Sequence, residues 1–403
     1  MAHAANADAP VAVVGGGVVG VAVAHALACR GVGAIVLEAQ DELALGASGT
    51  NSGILHMGFD SPPGELETRL IVRAAALRDD VLAPLGVPVL RCGALVRPRD
   101  EGDVPKVAAL AANARANDVT VELRDDGVLE VPGEAVTDPV AYTVALAAAA
   151  VGGGAEVRTG ARVEAIGRAG GRLVLSTAGG DEVVVDAAVN CAGLHADAVA
   201  RLVGDDSFEI YPRKGEFFVF DAPDGQALER ILLPVPTKRT KGVLVFPTVD
   251  GRIVAGPTAH DQVDKGDWSV RDEARDEVLP KARAMLPALD GAEPVAAYAG
   301  LRPAGRGVNY LVGPSPACPE LVNVAAIRST GLTASLGIGE HVTALVGRLG
   351  VALGPQRALA AQPVVATQAP WWRRTALHLA SSSGRRPIVA IETRGWMPRG
   401  GDS

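Results

Sequence analysis

The residue spacing in this chain that most directly implies chemistry is Val11-Ala-Val-Val-Gly-Gly-Gly-Val-Val-Gly20. Gly15 lets the chain turn tightly off a buried strand, Gly17 lets backbone come close to a pyrophosphate, and Gly20 permits close helix packing. Val18 and Val19 open the helix, whose free amides and dipole favour an anion. An apolar helical run to Cys29 and the strand Ala34-Ile-Val-Leu lead to Glu38. A carboxylate there accepts hydrogen bonds from both adenosine ribose hydroxyls and repels a 2'-phosphate. Strand, turn, helix, strand and acid in register predict a site for NAD or FAD rather than NADP.

The elements that position this site belong to a chain of 403 residues, long enough for two or three structural units interleaved in sequence. Hydrophobic content of 48% with only 3% aromatics points to a globular α/β protein. The net charge of -8 excludes a nucleic-acid-binding body, because phosphate neutralisation needs clustered Lys and Arg. Cys29, Cys92, Cys191 and Cys318 are too scattered for zinc, an iron-sulfur cluster or a dithiol pair, so they read as reduced core thiols and no metal is expected. Met1 to Pro10 carries no Lys or Arg, so the following apolar stretch does not read as a signal peptide. No run reaches the ~20 apolar residues of a membrane span, and the expected location is cytoplasmic.

Further along, Asp138-Pro-Val caps an Ala-rich helix over 141–151 that Gly152-Gly-Gly154 stops. Strands follow over 155–158, 161–166 and 182–190, with Gly170-Gly171 and Gly179-Gly180 as turns. The last strand runs into Cys191-Ala-Gly193, a second strand-to-helix junction where another dinucleotide contact would form. Extended segments over 216–220, 242–246 and 252–255, joined by 85–97, predict a largely antiparallel sheet. Leu321-Val-Asn-Val-Ala-Ala326 reads as a parallel strand returning to the first domain, followed by Ser329 to Ser335 and a helix over 337–349.

The tail differs in character. From 366 onward, six arginines (Arg373, Arg374, Arg385, Arg386, Arg394, Arg399) face Glu392 and Asp402, a net of +4, and Trp371, Trp372 and Trp396 are three of the four tryptophans. Tryptophan beside arginine suits a membrane interface, which would make the protein peripheral to the inner face of the membrane. A poorly ordered or subunit-clasping extension fits the same composition.

Taken together, the motifs resemble the FAD-dependent oxidoreductases of the D-amino-acid oxidase superfamily, in the branch that holds L-2-hydroxyglutarate oxidase and the anaerobic type of glycerol-3-phosphate dehydrogenase. The likeness spans roughly 10–350. It rests on Gly15 to Gly20 with Glu38, Gly49-Thr-Asn-Ser-Gly-Ile-Leu-His-Met-Gly58, Asn190-Cys-Ala-Gly193, Pro247-Thr-Val-Asp-Gly251 with Gly256-Pro-Thr258, Gly300-Leu-Arg-Pro303 and Gly331-Leu-Thr-Ala-Ser335. The resemblance implies an α/β fold in which a discontinuous Rossmann-like FAD domain (1–84, 140–206, 296–365) carries an inserted antiparallel substrate domain (85–139, 207–295), with 366–403 as the tail. It also places Ser48, Gly49, Thr50, Asn51, Ser52 and Gly53 along the pyrophosphate and ribityl chain, Val163 at the adenine, Ala192 and Gly193 near the adenosine, and Gly300 by the cofactor. Gly331, Leu332 and Thr333 would bring amides to the flavin N1 and O2 edge, where negative charge develops on reduction. Gly331 also suits a simple tight turn.

Carried over in the same way, Arg302 would face the flavin and grip a substrate carboxylate or phosphate with its planar fork. His56 would take a hydroxyl proton while hydride leaves the same carbon for flavin N5. A lone His is also a common hydrogen-bonded structural residue. Lys214 and Arg213 could hold a second anionic group or be surface cations, and Tyr298 could line the substrate site. With no cysteine after Cys318, an iron-sulfur relay in the same chain is not expected. That favours oxidation of a small anionic 2-hydroxy acid to the 2-oxo acid, with oxygen or a quinone as acceptor. Glycerol 3-phosphate oxidation is the nearest rival, amino-acid or secondary-amine oxidation the next, and a non-catalytic flavin-binding electron relay the last.

Overall fold

Continuous apolar runs and glycine turns build the first layer of the protein, whose computed structural model describes residues 7–225, 227–236, 242–362 and 370–374. The turn after β1 (Ala7–Val14) opens α1 (Val18–Cys29), and the chain returns as β2 (Ala34–Leu37). Later come α2 (Leu66–Leu82), α3 (Pro139–Gly152) and β3 (Glu182–Asn190), then β4 (Ile210–Phe220), β5 (Ala296–Gly305), β6 (Leu321–Ala325) and α4 (Gly331–Arg348). Asp138 caps α3 by accepting from the Val140 and Ala141 amides, as its position before Pro139 predicts.

In the first sheet β1 pairs in parallel with β2 on one side and β3 on the other. The outer edge of β3 is shared: its first half takes the hairpin strand Arg172–Thr177, and its last three residues pair in parallel with β6. Because Val11–Val14 of β1 and all of β2 are covered on both faces, they read as unbroken apolar runs rather than alternating ones. The helix expected over 337–349 begins earlier, at Gly331. Gly337 and Gly339 lie inside it because α2 and α1 come too close for side chains there. A carbon added at Gly339 would lie 2.5 Å from the Ala22 carbonyl oxygen, and one at Gly337 would overlap that of Leu70.

The second sheet has nine strands and is antiparallel except where Ile231–Pro234 runs parallel to Ala94–Arg97. Its spine is the ten-residue pairing of β4 with β5, from Ile210 opposite Gly305 to Val219 opposite Ala296. β5 therefore pairs within this sheet, although the sequence groups the residues from 296 on with the first domain. Ile54–Leu55, Val89–Leu90 and Ala135–Thr137 form a small third sheet.

The tail corrects one expectation. Residues 371–374 form a helical turn packed into the second sheet's core, with Trp371 1% exposed and edge-on to Tyr298. The Trp372 indole donates to Asp250 at 3.3 Å, and Arg374 pairs with Glu42. Trp371 and Trp372 are thus covered by protein and not free to meet headgroups, because aromatic neighbours offer them a buried seat. Trp396 and the arginines from 385 on lie outside the described residues. Among the described residues no helix is long and apolar enough to cross a membrane.

Candidate active site

The turn after β1 makes the first wall of the site. Gly15 has φ +111, and a carbon added to it would lie 2.5 Å from the Cys191 carbonyl oxygen. At Gly20 an added carbon would overlap the Gly15 carbonyl, so α1 starts hard against the strand end. The Val18 amide donates to Ser48 Oγ at 2.9 Å. Glu38 is held in place by the amides of Gly16 (2.6 Å) and Gln40 (2.8 Å), which leaves lone pairs on both its oxygens for ribose hydroxyls.

These residues open onto a cavity of about 740 Å³. Gly15, Gly17, Val18, Val19, Glu38, Ser48 and Asn51 line one part, Val163, Ala192 and Gly193 another, and Gly331 and Leu332 a third. Gly20, Gly49, Thr50, Ser52, Gly53, Gly300 and Thr333 do not line it. Several of these hold the wall from behind: a carbon added at Gly300 would lie 2.9 Å from the Thr50 carbonyl oxygen, and the Gly53 amide donates to Asn51 Oδ1. A loop from the second domain also reaches the cavity through Asp264, Lys265 and Trp268, with Lys265 paired to Asp197 at 2.8 Å.

The start of α4 is aimed by a kinked approach. Ala326 and Arg328 both adopt left-handed backbone, at φ 56 and 54, which costs non-glycine residues energy unless the surroundings impose it. Glu67 on α2 imposes it here. This buried carboxylate accepts from Thr330 Oγ (2.8 Å) and Asn309 Nδ2 (2.8 Å) and pairs with Arg328 (3.2 Å). Tyr310, its hydroxyl kept protonated by burial, bonds Thr330 at 2.7 Å. The free amides of α4 thus face the cavity beside Ile327 and Leu332.

His56 follows the strand Ile54–Leu55 and touches the start of α4: its amide donates to Thr333 Oγ at 3.2 Å. Its Nδ1 lies 2.8 Å from Oε2 of Glu134, a carboxylate with no solvent exposure. The Met57 amide donates to the other oxygen, Oε1, at 2.7 Å. Arg78 donates to the carbonyls of His56 (3.0 Å) and Gly133 (3.2 Å). Burial pulls Arg78 below the usual guanidinium range, opposed by the charge of Glu134.

Arg302 projects from β5, and three backbone carbonyls hold it. Nε donates to Arg213 O (3.0 Å), and Nη2 donates to Lys214 O (2.8 Å) and Thr258 O (2.7 Å), so Nη1 carries the remaining donors. Burial first, then repulsion from Arg213 and Arg328, lowers its pKa to about 10, leaving it charged at neutral pH. Strand alternation sends Arg213 and Lys214 to opposite faces of β4. Lys214 is buried against Asp267 at 3.0 Å, and Arg213 lies 3.5 Å from Asp261. Tyr298 stacks on Phe217 at 4.9 Å and is 3% exposed. Burial raises its hydroxyl well above the usual phenol range, so it stays a donor. The Tyr298 hydroxyl and the Trp371 indole nitrogen are both buried without a protein partner among the described residues.

None of His56, Arg302, Arg213, Lys214 and Tyr298 lines the 740 Å³ cavity itself. His56 meets it through Thr333, next to Leu332, and Arg302 through Pro303, which does line it. Sequence reasoning missed Glu67, Glu134 and Arg328. For Glu134 the available signal was an acid inside the turn Val131-Pro-Gly-Glu134, which suits many surface loops equally.

The family model described as FAD dependent oxidoreductase matches residues 10–345. Glycerol 3-phosphate dehydrogenase from Caloramator mitchellensis is 28% identical over 350 residues, covering 82% of this chain and 72% of that protein. The mitochondrial L-2-hydroxyglutarate dehydrogenase of Bos taurus is 28% identical over 289 residues, covering 64% of this chain and 62% of its own length. Among solved structures, dithionite-reduced L-alpha-glycerophosphate oxidase from Mycoplasma pneumoniae with FAD bound superimposes with a TM-score of 0.78 at 25% identity, over 89% of this chain and 97% of that one.

Proposed function

The chain belongs to the family of FAD-dependent oxidoreductases, and from that premise we propose that it oxidises the secondary hydroxyl carbon of a small anionic substrate, with glycerol 3-phosphate placed ahead of a 2-hydroxyglutarate-like 2-hydroxy acid. The observation that carries this reading is His56, an imidazole fixed beside the α4 start and backed by a buried carboxylate. An alcohol needs a base for its hydroxyl proton as hydride leaves, whereas a free amine does not.

Bound FAD would accept the hydride from the substrate carbon. The cradle fits it: close-packed glycines, Glu38 with free lone pairs, and a helix start at each phosphate- or ring-facing wall. His56 takes the hydroxyl proton, so the carbinol loses a hydride and a proton and becomes a ketone. Arg302, immobilised by three carbonyls, offers Nη1 to the substrate's anionic group, and Arg213 and Arg328 add positive potential nearby. Tyr298 supplies a neutral donor. The amides at the start of α4 favour the negative charge that forms on the ring edge.

The order of the two substrates departs from the expectation drawn from cysteine content. A glycerophosphate oxidase matched over nearly its whole length supports glycerol 3-phosphate chemistry. The likeness to L-2-hydroxyglutarate dehydrogenase keeps the hydroxy acid as a second reading. Anaerobic titration of the yellow protein with glycerol 3-phosphate, L-2-hydroxyglutarate and glycine, followed at ~450 nm as cofactor reduction, tests both. Bleaching by glycerol 3-phosphate supports the first, and bleaching by the hydroxy acid alone reverses the order. Bleaching only by glycine replaces alcohol with amine oxidation, and none at all leaves a cofactor-binding electron relay. Admitting air to the bleached sample then distinguishes oxygen from a quinone as acceptor.

A further inference from the structure

We propose that Glu134 is a positioning residue that holds His56 in the tautomer with its ring proton on Nδ1, leaving Nε2 as the atom that takes the substrate proton. This deepens the reading above and rests on His56 being the base.

The tautomer follows from counting donors. Glu134 receives two neighbours, one on each oxygen: the Met57 amide at 2.7 Å and His56 Nδ1 at 2.8 Å. A backbone N–H can only donate, and an ionised carboxylate can only accept. With Glu134 ionised, Nδ1 must carry the hydrogen, and Nε2 keeps its lone pair. A protonated Glu134 would instead donate to Nδ1 and move the ring proton to Nε2, which would disable the base. The Met57 amide occupies Oε1, so Oε2 is the oxygen left to accept from Nδ1.

The backbone that carries the ring is anchored on both sides. Its own amide is bonded to Thr333 and its own carbonyl to Arg78, while the second Arg78 bond holds Gly133, the residue before Glu134. One guanidinium therefore ties the segment carrying the imidazole to the segment carrying the carboxylate. When Nε2 accepts the substrate proton the ring becomes a cation, and the carboxylate at 2.8 Å is already in place to stabilise it without reorganisation.

Glu134→Gln tests this at nearly constant shape. An amide has one acceptor atom for two donors: if it serves Met57, its NH₂ faces Nδ1 and drives the ring proton to Nε2. If it serves Nδ1, two N–H groups collide at Met57. In the full-length FAD-loaded protein, the anaerobic reduction rate should fall roughly 10²–10⁴-fold, the range lost with a general base. Substrate affinity should stay within about threefold, because uniform binding is untouched. Nitrogen-15 spectra of the imidazoles should show the His56 proton on Nδ1 in the parent and displaced in Glu134→Gln. Glu134→Asp keeps two acceptors and should recover part of the rate.

A parent spectrum with the proton on Nε2, or a Glu134→Gln variant reducing at the parent rate, overturns the proposal. His56→Asn separates the two levels. If that variant reduces as fast as the parent, the base assignment itself fails. A slow His56→Asn beside a fast Glu134→Gln removes only the role of Glu134. Should Glu134→Gln not fold, the parent spectrum and Glu134→Asp still decide.

Discussion

Replacing Trp371 tests whether the tail is part of the fold. The indole is 1% exposed, meets Tyr298 edge-on at 5.3 Å and 81°, and shares a cluster with Phe217, Phe246 and Ile54. Trp→Ala in such a setting costs about 3–5 kcal/mol. Its buried Nε1 has no partner among the described residues, however, and deleting an unsatisfied N–H returns about 1–3 kcal/mol. The net expectation for Trp371→Ala is a loss of about 2 kcal/mol, seen as an unfolding midpoint lowered by a few degrees and a red-shifted loss of buried tryptophan emission. Trp371→Phe keeps the ring and removes the orphan donor, so it should match or exceed the parent in stability. Vesicle flotation should not change in either variant, since this indole faces protein. A Trp371→Ala protein with unchanged midpoint and emission would refute the docking of residues 371–374, and a loss of flotation with unchanged stability would return the tail to the membrane.

Three further outcomes follow from the same geometry. Gly20→Ala forces α1 to withdraw by on the order of 1 Å from the Gly15 carbonyl, so its amides miss the cofactor phosphates; FAD retained per protein should drop at least tenfold by absorbance after gel filtration, and full retention counts against the close-approach argument. Arg302→Ala removes a charged donor and strands three carbonyls, and should raise substrate KM by roughly 10–100-fold while lowering the unfolding midpoint, read by steady-state kinetics and thermal melts. His25, buried with its pKa lowered by desolvation from 6.5 to about 4, binds protons more readily when unfolded. Its contribution is therefore present above pH 6.5 and lost as pH falls towards 4, by up to about 3 kcal/mol, and His25→Gln should flatten that part of the stability profile in urea melts.

Legibility divides along the range of the forces involved. The β1-turn-α1-β2 unit and Glu38 were readable because the glycine requirements, apolar periodicity and acid all fall within thirty-odd consecutive residues, where chain geometry leaves few alternatives. The Asp138 cap was readable for the same reason, and the strands near 182–190 and 321–326 were readable from their own apolar runs. The start of α4 was placed late, at Gly337 instead of Gly331; Gly337 and Gly339 mark where neighbouring helices touch, and only the packed partners reveal that. β5 was grouped with the first domain because nothing in its own residues names a partner strand, and the ten-residue register with β4 is a through-space choice. Glu134 lies 78 positions from His56, and no local pattern distinguishes an acid that orients a ring from one that is solvated in a turn. Trp371 and Trp372 had a composition that fitted a bilayer, until Tyr298 and Asp250 supplied a protein interior instead. Residue types and short spacing thus pointed to a dinucleotide site, and the family resemblance pointed to His56 and Arg302. Which carboxylate faces the imidazole, which carbonyls immobilise Arg302 and which surface the tail covers depended on tertiary contacts, because burying a polar or aromatic group is favourable only beside a particular partner, and partners meet only once the chain has folded.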